Sequence, residues 1–180
     1  MMIQQIPLCV DLDGTLIKND TTKLACQMLI KHNFLYLLLF PIWLLPGLAY
    51  FKRQLANRVT IDVTTLPYNE KFLTWIKQQK ISGRPIILVS ATDQAFANAV
   101  GQHIAIFDKI IASDGKINLR SKNKRDCLNK LYGEGQYDYA GNDYPDIAVW
   151  QATHKAIVVN APKRLVEQCK RFPNIGEIFE

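Results

Sequence analysis

The sequence has few of the residues that build disulfide scaffolds or zinc sites. Its 180 residues include four cysteines and three histidines, with no CxxC pair and no histidine at zinc-finger spacing. We therefore expect neither a disulfide framework nor a zinc site, and the isolated cysteines favour a reducing compartment. Residues 1–5 also lack the basic start and apolar block of a secretion signal. These absences together predict a cytoplasmic protein.

Acidic residues are outnumbered, and the chain has no repeat or low-complexity tract. It contains 22 Lys and Arg against 16 Asp and Glu, a net charge of +6, and 48% of its residues are hydrophobic. This composition is typical of a globular chain rather than a disordered one. The positive excess is mild, no nucleic-acid-binding motif occurs, and basic and aromatic residues do not interleave. We therefore expect no nucleic-acid partner.

One segment, residues 34–51, contains no charged residue. Its 18 residues reach the lower limit for a transmembrane helix, but Pro41 and Pro46–Gly47 interrupt it. We therefore predict a helical hairpin or a segment lying in the membrane interface, with these aromatic rings at the surface: Tyr36, Trp43 and Tyr50. The alternative is burial within its own domain or against a partner, because apolar helical segments of this length are often core elements.

Outside that segment, apolar runs typical of strands alternate with helical patterns. The predicted strands are residues 6–10, 85–89, 109–112, 137–140 and 156–159. The predicted helices are residues 66–80, 93–100 and 122–132, the last with Ser121 as its cap and Gly133 as its stop. This alternation predicts five parallel strands with helices on both faces. A ligand would then bind beyond the carboxyl ends of the strands.

Polar residues follow three of these strands. Asp11 and Asp13 come directly after the first strand, where residues two apart on extended chain point to the same side. Gly14 permits the sharp turn that follows. Ser90 ends the second strand next to a helix start, a place that readily binds phosphate. Residues 141–146, after the fourth strand, add further oxygen ligands.

The basic residues near these positions complete a plausible phosphate site. Lys122, Lys124 and Arg125 lie between the second and fourth strands in the chain. Carboxylate and amide oxygens are the ligands that Mg²⁺ takes in proteins, and Mg²⁺ commonly bridges a carboxylate and a substrate phosphate. A carboxylate can also act as a nucleophile and form an aspartyl phosphate. The residues therefore predict a magnesium and phosphate site at this edge of the sheet.

Four motifs in this order resemble the haloacid dehalogenase (HAD) superfamily of Mg²⁺-dependent phosphohydrolases. Residues 11–15 match its DxDGT motif, residues 88–90 its apolar run ending in Ser or Thr, and residues 141–146 part of its GDxxxD motif. The third motif is a lysine at the start of a helix, for which Lys124 is our choice and Lys122 the alternative. Asn142 stands where the family usually has aspartate.

The resemblance implies a role for each matched residue. Asp11 would be the nucleophile, and Asp13 would protonate the leaving oxygen and then activate water. Ser90 and Lys124 would hold the phosphoryl oxygens. The remaining substrate-binding positions would be Gly14, Thr15 and Ala91. The Mg²⁺ ligands would be Asp11, the backbone carbonyl of Asp13, Asn142 and Asp146.

Four shorter stretches are similar to one HAD subgroup, whose members are often fused in front of UbiA-type membrane prenyltransferases. They are residues 66–70, 111–115, 139–142 and 149–150, and Asn142 is usual in that subgroup. This similarity implies a polyprenyl-linked or other lipid-linked phosphate as substrate. It also implies a membrane surface or a membrane prenyltransferase as partner, at the inner face of the membrane.

We therefore predict an α/β fold: a Rossmann-like HAD core with a parallel sheet, plus a small helical cap inserted after the first strand. The core would comprise residues 1–16 and 76–180, and the cap residues 17–75 with the apolar stretch 34–51. The functional hypothesis is a Mg²⁺-dependent phosphatase that hydrolyses a phosphate monoester, on a small metabolite or a lipid-linked substrate, through an aspartyl phosphate.

Two alternatives to this functional hypothesis stay open. One is a non-catalytic HAD-fold module that binds a membrane or a partner. The other is a phosphatase of the phosphoserine-phosphatase type whose apolar segment is buried in the cap.

Overall fold

Six strands pair in parallel, in the order β3-β2-β1-β4-β5-β6. The computed structural model describes residues 5–180. In it the strands are β1 Leu8–Val10, β2 Ile86–Asp93, β3 Lys109–Ser113, β4 Asp138–Gly141, β5 Ala156–Val159 and β6 Ile175–Phe179. All residues of β1, β4 and β5 are buried, as expected for central strands of a parallel sheet that is covered on both faces. The predicted α/β class and parallel sheet are confirmed.

Eight helices accompany the sheet in the described part of the chain. They are α1 Thr21–His32, α2 Phe40–Leu44, α3 Leu48–Ala56, α4 Glu70–Ile81, α5 Gln94–Ile104, α6 Lys122–Tyr132, α7 Ile147–Trp150 and α8 Lys163–Cys169. The apolar residues form two layers, one on each face of the sheet. Strand β1 contributes side chains to both layers, because Leu8 and Val10 point to one face of the sheet and Cys9 to the other. The sheet is therefore the middle layer of a three-layer arrangement.

Strand β6 was missing from the prediction, which gave five strands. It pairs with β5 through Ala156–Ile175 and Val159–Phe179 at the edge of the sheet. Its residues are only partly buried, and its sequence, IGEIF, contains a glycine and a charged residue. These features weaken the strand signal, because an edge strand packs on fewer neighbours than a central one.

Two helix starts and one helix cap differ from the prediction. Helix α4 begins at Glu70 rather than at residue 66, because the Asn69 side chain caps it by accepting from the Phe72 amide. Helix α5 begins at Gln94 rather than at residue 93, since β2 stays extended to Asp93. Helix α6 begins at Lys122 as predicted, but Ser121 makes no side-chain cap bond, and its positive φ of 54° places it outside cap geometry. The prediction that Ser121 is a cap is wrong.

The predicted division between cap and core, at residues 75 and 76, falls inside α4. This helix is continuous from Glu70 to Ile81, and its Phe72 and Ile76 are fully buried in the same apolar layer. The elements between β1 and α4 are α1, α2, α3 and two short 3₁₀ turns. The division into two domains stays a prediction, and residues 1–4 of the predicted core lie outside the described residues.

The uncharged segment folds as a chain of short helical pieces. A 3₁₀ turn, Phe34–Leu39, leads into α2, and Pro41 lies in the first turn of that helix. Gly47 then separates α2 from α3 with a φ of 115°, a backbone conformation that glycine adopts without a steric penalty. In residues 5–180, the longest apolar helices are too short to cross a bilayer.

Trp43 does not take the interfacial position that we predicted for it. The ring is buried, and Phe40 lies against it at a centroid distance of 5.9 Å. The Arg58 guanidinium lies 4.5 Å from the centroid of the Trp43 ring. Phe40 in turn contacts Phe51 edge to face at 5.1 Å. These rings form a small apolar core beneath the segment, so Trp43 holds the segment to the protein.

Candidate active site

The carboxyl ends of β1, β2 and β4 surround a cavity of about 400 Å³. Strands β2 and β4 lie on opposite sides of β1, so the order in which strands are added reverses here. Ligands of open parallel sheets bind at such a switch point. The cavity is lined by eight of the nine residues that the sequence predicted: Asp11, Asp13, Gly14, Ser90, Ala91, Lys124, Asn142 and Asp146.

A hydrogen-bonded network at the floor of this cavity joins two carboxylates to one lysine. Lys124 Nζ donates to Asp11 Oδ1 at 2.8 Å and to Tyr139 Oη at 2.6 Å. Tyr139 Oη donates in turn to Asp146 Oδ1 at 2.7 Å. All four side chains are buried. Two hydrogen bonds therefore hold Lys124 at the carboxylate that the sequence predicts as nucleophile.

The charges of this network shift its ionisation. Burial raises the pKa of Asp11 to about 6, Lys124 opposes that rise, and Asp146 adds to it. Burial alone would lower the pKa of Lys124, but Asp11 and Asp146 outweigh it, and the net pKa lies above its ordinary value. The lysine is thus charged at neutral pH. A buried cation at this position would stabilise negative charge that develops on a bound phosphoryl group.

Lys122, the alternative for the third motif, does not enter the cavity. It is exposed at the first position of α6, whereas Lys124 is buried. Residues two apart in a helix point to different sides, so only one of the two lysines can face the sheet. The geometry favours Lys124.

Asp13 lies beside this network and is held by the start of α1. Thr21 donates to both of its carboxylate oxygens, from its backbone amide at 2.9 Å and from its hydroxyl at 3.0 Å. Burial raises the pKa of Asp13 to about 7, although the Thr21 amide acts against the rise and the Asp11 charge adds to it. A carboxyl group that titrates near neutral pH can give a proton and take one back, as a general acid and base must.

We expect the metal-free protein to lose stability as the pH rises from about 4 to about 7. The folded pKa values of Asp11 and Asp13 are about 6 and about 7, above the 3.8 of an unperturbed carboxyl group. The folded state therefore holds protons that the unfolded state releases, and this stabilisation disappears as the pH passes the folded values. In Asp13→Asn the amide cannot ionise, so its melting temperature relative to wild type should increase with pH. Calorimetry with EDTA across this range measures that difference, and a constant difference would contradict the assignment.

Thr15 is the one predicted residue that does not line the cavity. It is fully buried, and its hydroxyl donates to Asn142 Oδ1 at 3.3 Å. Asn142 packs directly over Gly14: a Cβ at that glycine would lie 2.0 Å from Asn142 Nδ2. Only glycine fits there, and its φ of 78° also favours glycine. Thr15 thus orients the Asn142 amide from behind the cavity wall, whereas we expected it to touch the substrate.

Ser90 and Ala91 form the wall of the cavity at the end of β2. Ser90 is buried, and its Oγ accepts from the Thr92 amide at 3.1 Å. A hydroxyl that accepts in this way keeps its own proton for another acceptor, such as a phosphoryl oxygen. Lys52 of α3 reaches the same wall, where its Nζ donates to the Ala91 carbonyl at 2.6 Å.

The oxygens in this cavity fit a hard divalent cation. Asp11 and Asp146 supply carboxylates, Asn142 an amide oxygen and Asp13 a backbone carbonyl, and oxygen donors of this kind hold Mg²⁺. When both are ionised, the two buried carboxylates also carry more negative charge than Lys124 alone can neutralise. Residues 5–180 contain no group of three or more Asp, Glu, His or Cys side chains that could hold a metal ion by themselves.

Three residues of the site were missed by sequence reasoning: Tyr139, Thr21 and Lys52. Tyr139 could have been found, because it lies two residues before Gly141 on β4 and so points to the same side as the end of that strand. Thr21 and Lys52 belong to the segment between β1 and α4. Their approach depends on how α1 and α3 pack, which the pattern of one sequence does not fix.

No family model matches the chain. A search of curated proteins finds an uncharacterized protein, y4nM, of Sinorhizobium fredii, which is 34% identical over 157 residues. The match covers 87% of this chain, and the chain spans about 30% of that relative's length. The relative's name gives no activity, so the similarity to UbiA-linked domains stays a prediction.

Solved structures of phosphatases share the fold. A substrate-bound phosphoserine phosphatase superimposes with a TM-score of 0.65 at 17% identity, covering 98% of this chain and 93% of that one. A phospho-aspartyl intermediate analogue of phosphoserine phosphatase gives 0.62 at 16% identity, over the same shares of the two chains. The cobalt-bound deoxy-D-mannose-octulosonate 8-phosphate phosphatase of Haemophilus influenzae gives 0.56 at 13% identity, covering 97% and 77%. The chain therefore has the fold of these phosphatases.

Proposed function

We propose that the protein is a Mg²⁺-dependent phosphatase that hydrolyses phosphate monoesters through an aspartyl phosphate on Asp11. One observation carries the proposal: Lys124 Nζ lies 2.8 Å from Asp11 Oδ1 on the floor of an open cavity, with Asp13 beside it. A nucleophile, a charge stabiliser and a proton donor thus meet in one place, as phosphoryl transfer through a carboxylate requires. The shared fold and the four sequence motifs support this assignment.

In the first step a carboxylate oxygen of Asp11 attacks phosphorus, and the bond from phosphorus to the leaving oxygen breaks. Asp13, protonated, gives its proton to that oxygen, so the leaving group departs as an alcohol. Lys124 and the Ser90 hydroxyl hold the equatorial phosphoryl oxygens as charge develops. Mg²⁺, held by Asp11, Asp146, Asn142 and the Asp13 carbonyl, would supply charge neutralisation to the phosphoryl group when bound.

In the second step water attacks the phosphorus of the aspartyl phosphate. Asp13, now ionised, takes a proton from that water, and the bond between phosphorus and the Asp11 oxygen breaks. Phosphate leaves, Asp11 is again a carboxylate and Asp13 is again protonated. The pKa of about 7 for Asp13 suits both steps, because the group has comparable amounts of its acid and base forms near neutral pH.

The substrate class is an anionic phosphate ester on a small metabolite or a lipid carrier. Four further basic side chains line the cavity: Lys18, Lys23, Lys52 and Arg120. They favour a substrate with more negative charge than one phosphate dianion carries. They would also attract a phosphate ester to the positively charged opening of the cavity. Leu48 also lines the cavity and offers an apolar contact to the organic part of the ester.

The test is phosphate release from p-nitrophenyl phosphate and from a polyprenyl monophosphate, in Mg²⁺ and after chelation by EDTA. We expect turnover in Mg²⁺, loss to background in EDTA and recovery when Mg²⁺ is restored. Turnover that persists in EDTA would contradict the metal requirement. Tight binding of vanadate without turnover of either ester would instead favour the non-catalytic module, for which the uncharged Asn142 is the supporting feature.

A further inference from the structure

The segment between the first strand and α4 exposes an unusual amount of apolar surface. Ten of the fifteen large apolar side chains that are exposed in residues 5–180 lie within residues 34–50. We call these ten the apolar surface: Phe34, Leu35, Leu37, Leu38, Leu39, Ile42, Leu44, Leu45, Leu48 and Tyr50. The most open of them, Leu45 and Leu38, are 84% and 72% exposed. Concentrated apolar exposure of this kind marks an interaction site.

The apolar surface is built on a packed base. Beneath it Trp43, Phe51 and Ala49 are buried, and the Phe40 ring contacts the rings of both Trp43 and Phe51. The exposed leucines therefore alternate with residues that fix the segment to the protein. The surface is formed before any partner arrives, so binding would cost little ordering of the chain.

The charge around the apolar surface has one sign. Between Asp20 and Asp62 the chain contains five Lys and Arg residues and no Asp or Glu. Two of the five are half-buried: Lys52 reaches the Ala91 carbonyl, and Arg53 lies 2.8 Å from the buried Asp93. The other three are exposed: Lys23, Lys31 and Arg58. Apolar side chains bordered by cations are complementary to an anionic lipid surface.

We propose that the apolar surface inserts into the interface of an anionic lipid bilayer and docks the protein there. The helical pieces are too short to span, so the segment lies in the plane of the interface with its leucines among the acyl chains. Tyr50 lies at the level of the headgroups, and the exposed cations contact the anionic lipid. A second copy of the chain is a poorer occupant, because a symmetric contact would bring like charges together.

Docking would place the active-site cavity at the membrane surface. Leu48 belongs to the apolar surface and also lines the cavity, and Lys52, one turn later on α3, reaches the cavity wall. If the proposed phosphatase activity holds, a phosphate whose carrier lies in the bilayer could reach Asp11 without leaving the lipid. This consequence rests on the proposed function, whereas the docking itself does not.

The test is co-sedimentation of the full chain with vesicles, using one pair of matched variants. Leu45→Glu alters the apolar surface, and Ile81→Glu alters an equally open side chain at the end of α4, since the two are 84% and 85% exposed. We expect wild type and Ile81→Glu to bind vesicles of phosphatidylcholine and phosphatidylglycerol. Leu45→Glu should bind at least about tenfold more weakly, because the transfer of one leucine side chain from water into the lipid accounts for a difference in affinity of that size. Binding should weaken with salt and on pure phosphatidylcholine.

Each other outcome overturns the proposal. Absence of binding by the wild type would exclude the bilayer, and equal binding by Leu45→Glu would place the contact elsewhere. Dimerisation that Leu45→Glu abolishes, without vesicle binding, would show that a second copy covers the surface. Circular dichroism spectra and melting temperatures check that both variants are folded. We expect both to fold, because both substituted side chains are exposed.

Discussion

The Asp11→Asn variant should hydrolyse phosphate monoesters at least about 10³-fold more slowly than wild type and keep its fold. An amide has the shape of a carboxylate but no negative oxygen to attack phosphorus, so the first step fails. The variant should also be as stable as wild type or more stable at neutral pH. Asp11 is buried near Asp146, and both burial and that neighbouring charge oppose its ionisation.

The matched control for this prediction is Asp126→Asn on α6. Asp126 is exposed, and its only described partner is the neighbouring Arg125 side chain, so its loss should change turnover by less than about twofold. Initial rates with Mg²⁺ present, together with melting curves of all three proteins, provide the comparison. An Asp11→Asn variant with turnover close to wild type would rule out the covalent mechanism.

The second large effect is expected for Lys124→Met, which should lose both turnover and stability. Turnover should fall by about 10²–10³-fold, because no cation then faces the phosphoryl oxygens. The free energy of unfolding should fall by about 3–5 kcal/mol, since the change leaves two buried carboxylates, Asp11 and Asp146, without the lysine between them. The pKa of Asp11 should rise further, because Lys124 is the charge that lowers it.

Lys122→Met is the control, because it removes a lysine from the same helix on its exposed side. It should change the free energy of unfolding by no more than about 0.5 kcal/mol and leave turnover near wild type. Denaturant unfolding and initial rates for both variants test the pair. If Lys122→Met were the inactive variant and Lys124→Met the active one, the assignment of the third motif would be reversed.

The sequence was sufficient for those parts of the site that follow strand ends. Asp11, Ser90 and Asn142 each follow an apolar run, and parallel strands bring such positions to one edge. A short apolar strand and the turn after it are local signals, so the cavity could be assembled in outline from the order of the motifs. The helix that carries Lys124 was also predicted with its observed bounds, Lys122–Tyr132.

The contacts between the inserted segment and the core could not be predicted. Lys52 was read as one of the basic residues that flank an apolar stretch, and only the packing of α3 brings its Nζ to the Ala91 carbonyl. Trp43 was expected at the surface because amphipathic rings favour interfaces, but its ring packs against Phe40 and Arg58 and is buried instead. These contacts join residues of different segments, and the spacing of apolar residues within one segment carries no information about them.

Strand β6 illustrates a second limit. Its register with β5 and the contact of Phe179 with Phe72 and Trp75 make it part of the sheet and its packing. Its sequence alone does not alternate strongly, and a glycine and a glutamate interrupt it. An edge strand of this kind is stabilised by its neighbours more than by its own residues.

The covalent step is tested most directly by trapping the intermediate in Asp13→Asn. With p-nitrophenyl phosphate the leaving group needs no proton, so this variant should form the aspartyl phosphate with Mg²⁺ present and fail to hydrolyse it. After acid quenching, borohydride reduction and peptide mass analysis, we expect homoserine at position 11 in Asp13→Asn and none in Asp11→Asn. Wild-type turnover without any modification at position 11 of the trapped variant would contradict the account.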